Sequence, residues 1–75
     1  MPTETVQLKP NAEFIELIKL LKFAQVAQTG GHAKILIEDG LIYVNNEVEY
    51  RKRRKLRADD VVSFEDTTIK ITAAE

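Results

Sequence analysis

Thr29-Gly30-Gly31-His32-Ala33-Lys34-Ile35-Leu36-Ile37-Glu38-Asp39-Gly40-Leu41-Ile42-Tyr43-Val44-Asn45-Asn46 is the stretch whose reading decides the fold. Thr29 is a good N-cap, because its hydroxyl can accept a hydrogen bond from a backbone N–H of the first helical turn. Ala33, Leu36 and Ile37 then recur at three- and four-residue steps, which places them on one face of a helix. Gly40 supplies the left-handed residue that ends it. A helix from Thr29 to Gly40 is therefore expected, followed by a strand over Leu41 to Val44. Asparagine tolerates positive φ, so Asn45-Asn46 predicts a two-residue type I′ hairpin leading into a second strand, Glu47 to Tyr50.

Within this stretch, two glycines open the helix, and each costs about 1 kcal/mol relative to alanine if it lies in a helix interior. One use for that cost is close approach of an anion. Backbone N–H groups without flanking side chains, at a helix start that already carries partial positive charge, leave room for it. Lys34, one turn further in, adds a formal charge. A plain tight interhelical turn explains Gly30 and Gly31 equally well.

Downstream of the hairpin, Arg51-Lys52-Arg53-Arg54-Lys55-Leu56-Arg57 sets six cations within seven residues. Outside it, five Lys and Arg remain against 12 Asp and Glu, a net of −7 that the stretch brings to the overall −1. A charge near zero thus hides a dipolar molecule with one concentrated positive site. If the segment is extended, Lys52 and Arg54 point one way and Arg51, Arg53 and Lys55 the other, so neither face is buried. An exposed loop or edge pinned by Leu56 is expected. A polyanion is the favoured partner, since Lys and Arg on phosphates release condensed counterions. The alternative is a solvated charge run, although protein surfaces usually intersperse the two signs.

Upstream, Thr5 and Gln7 alternate with Val6 and Leu8 over Thr3 to Leu8, a short half-buried strand that Pro10 stops. Asn11 is the expected N-cap of a first helix, with Glu13 and Glu16 near its start and Phe14, Leu17, Ile18 and Leu21 on its apolar face. That helix ends before Thr29. Towards the other end, Asp59-Asp60 predicts a turn, Val61, Val62 and Phe64 a strand, Asp66-Thr67 another turn, and Ile69 and Ile71 the apolar face of a last strand.

The 75 residues allow one domain, and a chain this short buries only about 60% of the surface its unfolded form exposes. Without cysteine, neither a disulfide nor a thiolate zinc site can reinforce the core, and the 44% hydrophobic content must suffice. Met1-Pro2-Thr3-Glu4 lacks the basic start of a secretory signal, and the longest apolar run, Leu41 to Val44, is far short of a membrane span. A soluble cytoplasmic protein is expected. No catalytic set is visible. His32 is the only histidine and reads as a surface helix residue, Ser63 is the only serine and sits in no elbow motif, and Asp59-Asp60 and Glu65-Asp66 read as solvated turn formers. No enzyme, cofactor or metal is expected.

Ala33, Leu36, Ile37, Gly40, Val44 and Asn45 stand at the spacing of the RNA-binding domain named after small-subunit ribosomal protein S-four, the alpha-L RNA-binding motif. Asp60-Val61-Val62 resembles that family's closing element. The similarity runs over about residues 13 to 64. Thr29 stands where the family has Ser, Gly30 where it usually has Arg, and Asn46 and Asp59 where it has Gly. The family's helix arginine contact therefore does not carry over to Gly30. The Gly-Gly opening with a downstream basic run is similar to the small stand-alone bacterial branch.

The resemblance implies an α+β fold, two helices packed on a small, mostly antiparallel sheet in a single domain over 1–75. It also implies structured RNA, ribosomal RNA foremost, lying along the second helix and the hairpin of a monomeric, non-catalytic adaptor in ribosome assembly or quality control. The candidate RNA-binding residues are Gly30, Gly31, Lys34, Asn45, Arg51, Lys52, Arg53, Arg54 and Lys55. Asn45 also has a purely structural reading as a hairpin residue. The alternative partner is an acidic protein docked on the basic stretch. DNA fits less well, because the predicted helices carry no row of Arg, Asn or Gln aimed at base edges.

Overall fold

The alternation at the start of the chain produces the expected strand, β1 (Thr3–Gln7), with Val6 buried between exposed neighbours. The computed structural model describes residues 3–73. Met1 and Pro2, which belong to the start read above as lacking a secretory signal, lie outside the described residues. After β1 come β2 (Ile15–Glu16), α1 (Leu17–Phe23), α2 (Gly30–Glu38), β3 (Tyr43–Val44), β4 (Glu47–Val48), β5 (Lys55–Leu56), β6 (Val61–Phe64) and β7 (Thr67–Thr72). One sheet runs β1-β7-β6-β3-β4, and β2 with β5 forms a separate small pair. Every pairing is antiparallel except β1 with β7, which run parallel side by side. This is the expected α+β arrangement.

The core lies between the helices and the sheet. Leu17, Leu20 and Leu21 from α1 and Ala33, Leu36 and Ile37 from α2 meet Ile42, Val44, Leu56, Val62, Ile69 and Ile71. Each large apolar side chain contributes about 1.5–3 kcal/mol by leaving water. Both helices end in the same device. After α2, the N–H groups of Gly40 and Leu41 donate to the carbonyls of Ile37 and Leu36 at 3.1 and 3.2 Å, with Gly40 at φ 73°. After α1, Gln25 at φ 62° takes the glycine's place, and Val26 N–H returns to Leu21 O at 2.9 Å. Such caps satisfy the last carbonyls of a helix and turn the chain sharply.

The stretch from Thr29 to Asn46 folds as its residues dictate. Thr29 Oγ1 accepts from His32 N–H at 3.0 Å, and Asn45 and Asn46 take φ of 52° and 71° in the hairpin turn. Regular ladder pairing is confined to two residues per strand. The turn expected at Asp59-Asp60 forms with Asp59 at φ 76°, and the next one sits at Glu65-Asp66, one residue earlier than expected.

One expectation fails, and the same contact that overturns it gives the expected basic loop its shape. The first helix does not start at Asn11. The segment from Lys9 to Ala12 is a turn, Ala12 N–H donating to Lys9 O at 2.9 Å, and Phe14 lies outside the helix. Ile15 and Glu16 are instead drawn into pairing with Leu56 and Lys55. The basic stretch is the expected exposed loop pinned by buried Leu56: Arg54 N–H donates to Arg51 O at 3.1 Å around a turn at Lys52-Arg53, so the alternation of an extended segment does not apply. A contact between segments forty residues apart overrides the local helical spacing and folds the basic segment at once. Among the described residues no helix is long and apolar enough to cross a membrane.

Candidate nucleic-acid interface

The basic turn is built around an acid. Glu49 follows Val48 in the hairpin, and the alternation of the strand turns it inward, where it is the one buried charged residue among those described, at 7% exposure. Its carboxylate accepts from Arg51 Nε and Nη2, both at 3.0 Å, from Arg51 N–H at 3.1 Å and from Arg54 Nη1 at 2.6 Å. A bidentate guanidinium and a second arginine satisfy a buried carboxylate that would otherwise be costly. The Arg51 hydrogen bonds hold its pKa at about 2, below the ordinary 4.5, with Arg54 adding to the effect and burial opposing it. Glu49 in turn raises the pKa of Arg51.

The backbone of the turn is tied down as well. α1 begins after Glu16, whose side chain makes no cap. The N–H groups of Leu17 and Ile18 donate instead to Arg54 O at 2.9 Å and Lys52 O at 3.0 Å. Carbonyls of the basic turn thus satisfy amides at a helix start that would otherwise have no partner. Leu56, fully buried, anchors the exit of the turn. Beside it Lys55 Nζ sits 4.9 Å from the centre of the Phe14 ring, and the Arg57 guanidinium lies 6.0 Å from it. These cation–π contacts hold both charges in place without neutralising them.

The resulting surface is cationic and open. Arg51, Arg53, Arg54 and Lys55 line a depression of about 510 Å³. Glu49 cancels one of the six charges. Lys52, Arg53 and Lys55 are exposed and carry no ion pair among the described residues. Guanidinium and ammonium groups in such an arrangement are suited to anionic oxygens, through hydrogen bonds and charge.

Of the residues singled out in the sequence, Arg51 to Lys55 are brought together in one turn. Asn45 is engaged internally: its Nδ2 donates to Asp60 Oδ1 at 3.1 Å and its Oδ1 accepts from Val61 N–H at 2.9 Å, tying the hairpin to β6. Gly30 and Gly31 sit at the first turn of α2, where a Cβ on Gly30 would meet nothing within 4 Å and one on Gly31 only Thr29 Oγ1 at 3.9 Å. No internal packing demands them. At the other end of α2 a Cβ on Gly40 would meet Tyr50 Oη at 3.1 Å, so Tyr50, next to Arg51, packs there. The glycines open α2 and Tyr50 lies beside Gly40 just past its other end, about 14 Å of helix for nine residues, with exposed Lys34 one turn in.

Sequence reasoning missed Glu49 and Phe14. A signal for Glu49 existed, an acid at an inward strand position two residues before an arginine. Phe14 carried none, since its spacing matched the helix that starts three residues later.

The S4 domain family matches residues 7–72 of this chain. The putative RNA-binding protein YbcJ of Escherichia coli is 39% identical over 59 residues, covering 79% of this chain and 84% of YbcJ. The probable ribosome maturation protein RlbA of Bacillus subtilis is 42% identical over 55 residues, covering 73% and 78% of the two chains. The solution structure of Escherichia coli YbcJ, described as revealing an αL motif involved in RNA binding, superposes with a TM-score of 0.64 at 36% identity over 97% of this chain and 89% of that one. With the family matched across nearly the whole chain and the two-helix, small-sheet architecture shared with YbcJ, the chain belongs to the S4 domain family.

Proposed function

We propose that this protein binds structured RNA, ribosomal RNA foremost, as a monomeric, non-catalytic cytoplasmic adaptor in ribosome assembly or quality control. The observation that carries this reading is the Glu49-clamped turn, which fixes Lys52, Arg53 and Lys55 outward on a rigid frame. The names of its relatives, an RNA-binding protein and a ribosome maturation protein, point the same way. Structured RNA is recognised largely through shape, phosphate and 2′-hydroxyl contacts, which is what ordered cations without base-reading side chains provide. Gly30, Gly31 and Lys34 extend the contact along α2.

A salt titration tests the electrostatic part. If roughly four phosphates are neutralised, log K falls with log salt at a slope near −3, about 60-fold between 50 and 200 mM. A flat response removes the reading. Sedimentation of cell extract tests the ribosomal part: the protein is expected with ribosomal subunits or their precursors, and its confinement to the free fraction at low salt contradicts that role.

A further inference from the structure

The hairpin carries a second surface that the basic turn does not use. Tyr43 and Val48 are cross-strand partners. Glu49 N–H donates to Ile42 O at 3.0 Å, which extends the pairing so that Leu41 lies opposite Tyr50. Directly opposed residues share a face, and so do residues two apart in a strand. Leu41, Tyr43, Val48 and Tyr50 therefore form one outward stripe, while Ile42, Val44 and Glu49 turn inward. Exposure agrees: Tyr50 is 63% exposed, Leu41 44%, Tyr43 41% and Val48 38%. Tyr50 and Tyr43 are diagonal neighbours, about 7–8 Å apart at their Cα atoms.

We propose that this stripe, through Tyr50 at the end next to the basic turn, stacks an unpaired nucleobase whose neighbouring phosphates lie on Arg51, Arg53 and Lys55. The inference rests on the RNA reading above and narrows the ligand to RNA with a bulged, looped or frayed nucleotide. Three observations carry it. The stripe is continuous with the cationic depression, since Tyr50 precedes Arg51, which lines it. The tip of the Tyr50 ring lies beside Gly40, its Oη and Cε1 at 3.1 and 3.4 Å from where a Cβ on that glycine would stand, and most of the ring is left to solvent. An exposed tyrosine ring offers a π-face on which a base can stack. Finally, four side chains on a two-stranded ribbon are far from the roughly 800 Å² per partner that a stable protein interface needs. One base on an aromatic face needs no such area and is sequence-tolerant. A perfect duplex gains nothing here, because its base faces are already stacked on each other.

The experiment uses the intact protein and two RNA duplexes closed by G·C pairs at both ends, the first fully paired along its stem, the second identical but for a single 2-aminopurine bulge in it. Binding is read by anisotropy at one salt concentration and stacking by quenching of 2-aminopurine fluorescence. The wild type is expected to bind the bulged RNA about 10-fold more tightly and to quench it. Tyr50→Leu abolishes quenching and that advantage, while affinity for the paired stem stays within about 2-fold. Tyr50→Phe keeps the ring and both effects, which covers the case in which Leu disturbs the packing on Gly40. Equal affinity of the wild type for the two RNAs without quenching overturns the proposal and leaves the RNA reading standing. Equal loss on both RNAs in Tyr50→Leu also overturns it, because the ring then serves the turn alone. Negligible binding of both RNAs by the wild type overturns the RNA reading itself, and this proposal with it.

Discussion

The basic turn and the glycine start of α2 are both candidate anion sites, and the protein supports them very differently. At the turn, the molecule is committed on every side. Glu49 holds two arginines, two carbonyls receive the first amides of α1, Leu56 is buried, and Phe14 lies under Lys55 and Arg57. At Gly30-Gly31 the space a Cβ would take is open, and the helix start is held only by local hydrogen bonds, from His32 and Ala33 N–H to Thr29 and from Gln28 N–H to His32 Nδ1. The difference teaches that charge density and site are separate properties. Six adjacent cations repel one another, and an acid among them turns that repulsion into a defined geometry, at the cost of one unit of positive charge. The glycine start offers polarity and access without order, and its contribution should be correspondingly small.

The contrast is broken most directly at the free cations. Lys52→Glu combined with Arg53→Glu leaves the Glu49 clamp untouched, and each reversal replaces a phosphate contact by repulsion. Together they are expected to weaken RNA binding by about 100-fold or more, measured by anisotropy, with the melting temperature unchanged. Similar affinity in the double variant would move the interface off the turn.

The clamp itself is next. Because the folded carboxyl of Glu49 titrates at about 2 and the unfolded one near 4.5, its stabilisation is fully present above pH 4.5 and lost as the pH falls through 2. Glu49→Gln is expected to cost about 2 kcal/mol near neutral pH, a fall of roughly 8–16 °C in melting temperature for a chain of this size. The gap between the two proteins should close as the pH approaches 2. A constant gap down to that pH would mean that the ionised carboxylate is not what holds the turn.

At the weaker region, Lys34→Glu is expected to reduce RNA binding about 10-fold, while Lys70→Glu, the same charge change on the exposed face of β7, costs less than about 2-fold. Matching losses would show that only bulk charge is sensed along α2. The smallest effect is at Gly31, where the open surroundings accept a methyl group. Gly31→Ala should raise stability by about 0.5–1 kcal/mol in thermal unfolding, and any weakening of RNA binding then reports backbone contact rather than misfolding.

The same contrast explains how much was legible in the sequence. α2 and the hairpin are specified locally, by Thr29, the Ala33-Leu36-Ile37 spacing, Gly40 and the asparagine pair, so both appear where the residues place them. The basic turn was legible as concentrated charge on an exposed loop, with Leu56 as its anchor. Its shape was not, because it depends on Glu49 and on the pairing of Ile15-Glu16 with Lys55-Leu56, segments brought together only by the fold. The start of α1 was misplaced for that reason. Phe14, Leu17, Ile18 and Leu21 fit a helical period, yet the N-cap function that Asn11 was expected to supply comes from carbonyls of Lys52 and Arg54. The parallel pairing of β1 with β7 had no local signal, since either orientation would bury Val6 and Ile71.

The central claim is that the cations act through a geometry set by Glu49 and not through their sum, and one pair of variants measures it. Glu47 and Glu49 both line the pocket beside Arg51 and Arg54, but Glu47 is exposed and makes no ion pair among the described residues. Glu47→Gln and Glu49→Gln make the same change in net charge. With RNA affinity read at one salt concentration and folding checked at the same temperature, Glu47→Gln is expected to tighten binding by up to about 2-fold, and Glu49→Gln to weaken it by about 3- to 10-fold despite its added positive charge. Equal tightening in both variants would contradict the account and leave the basic stretch as a solvated charge run.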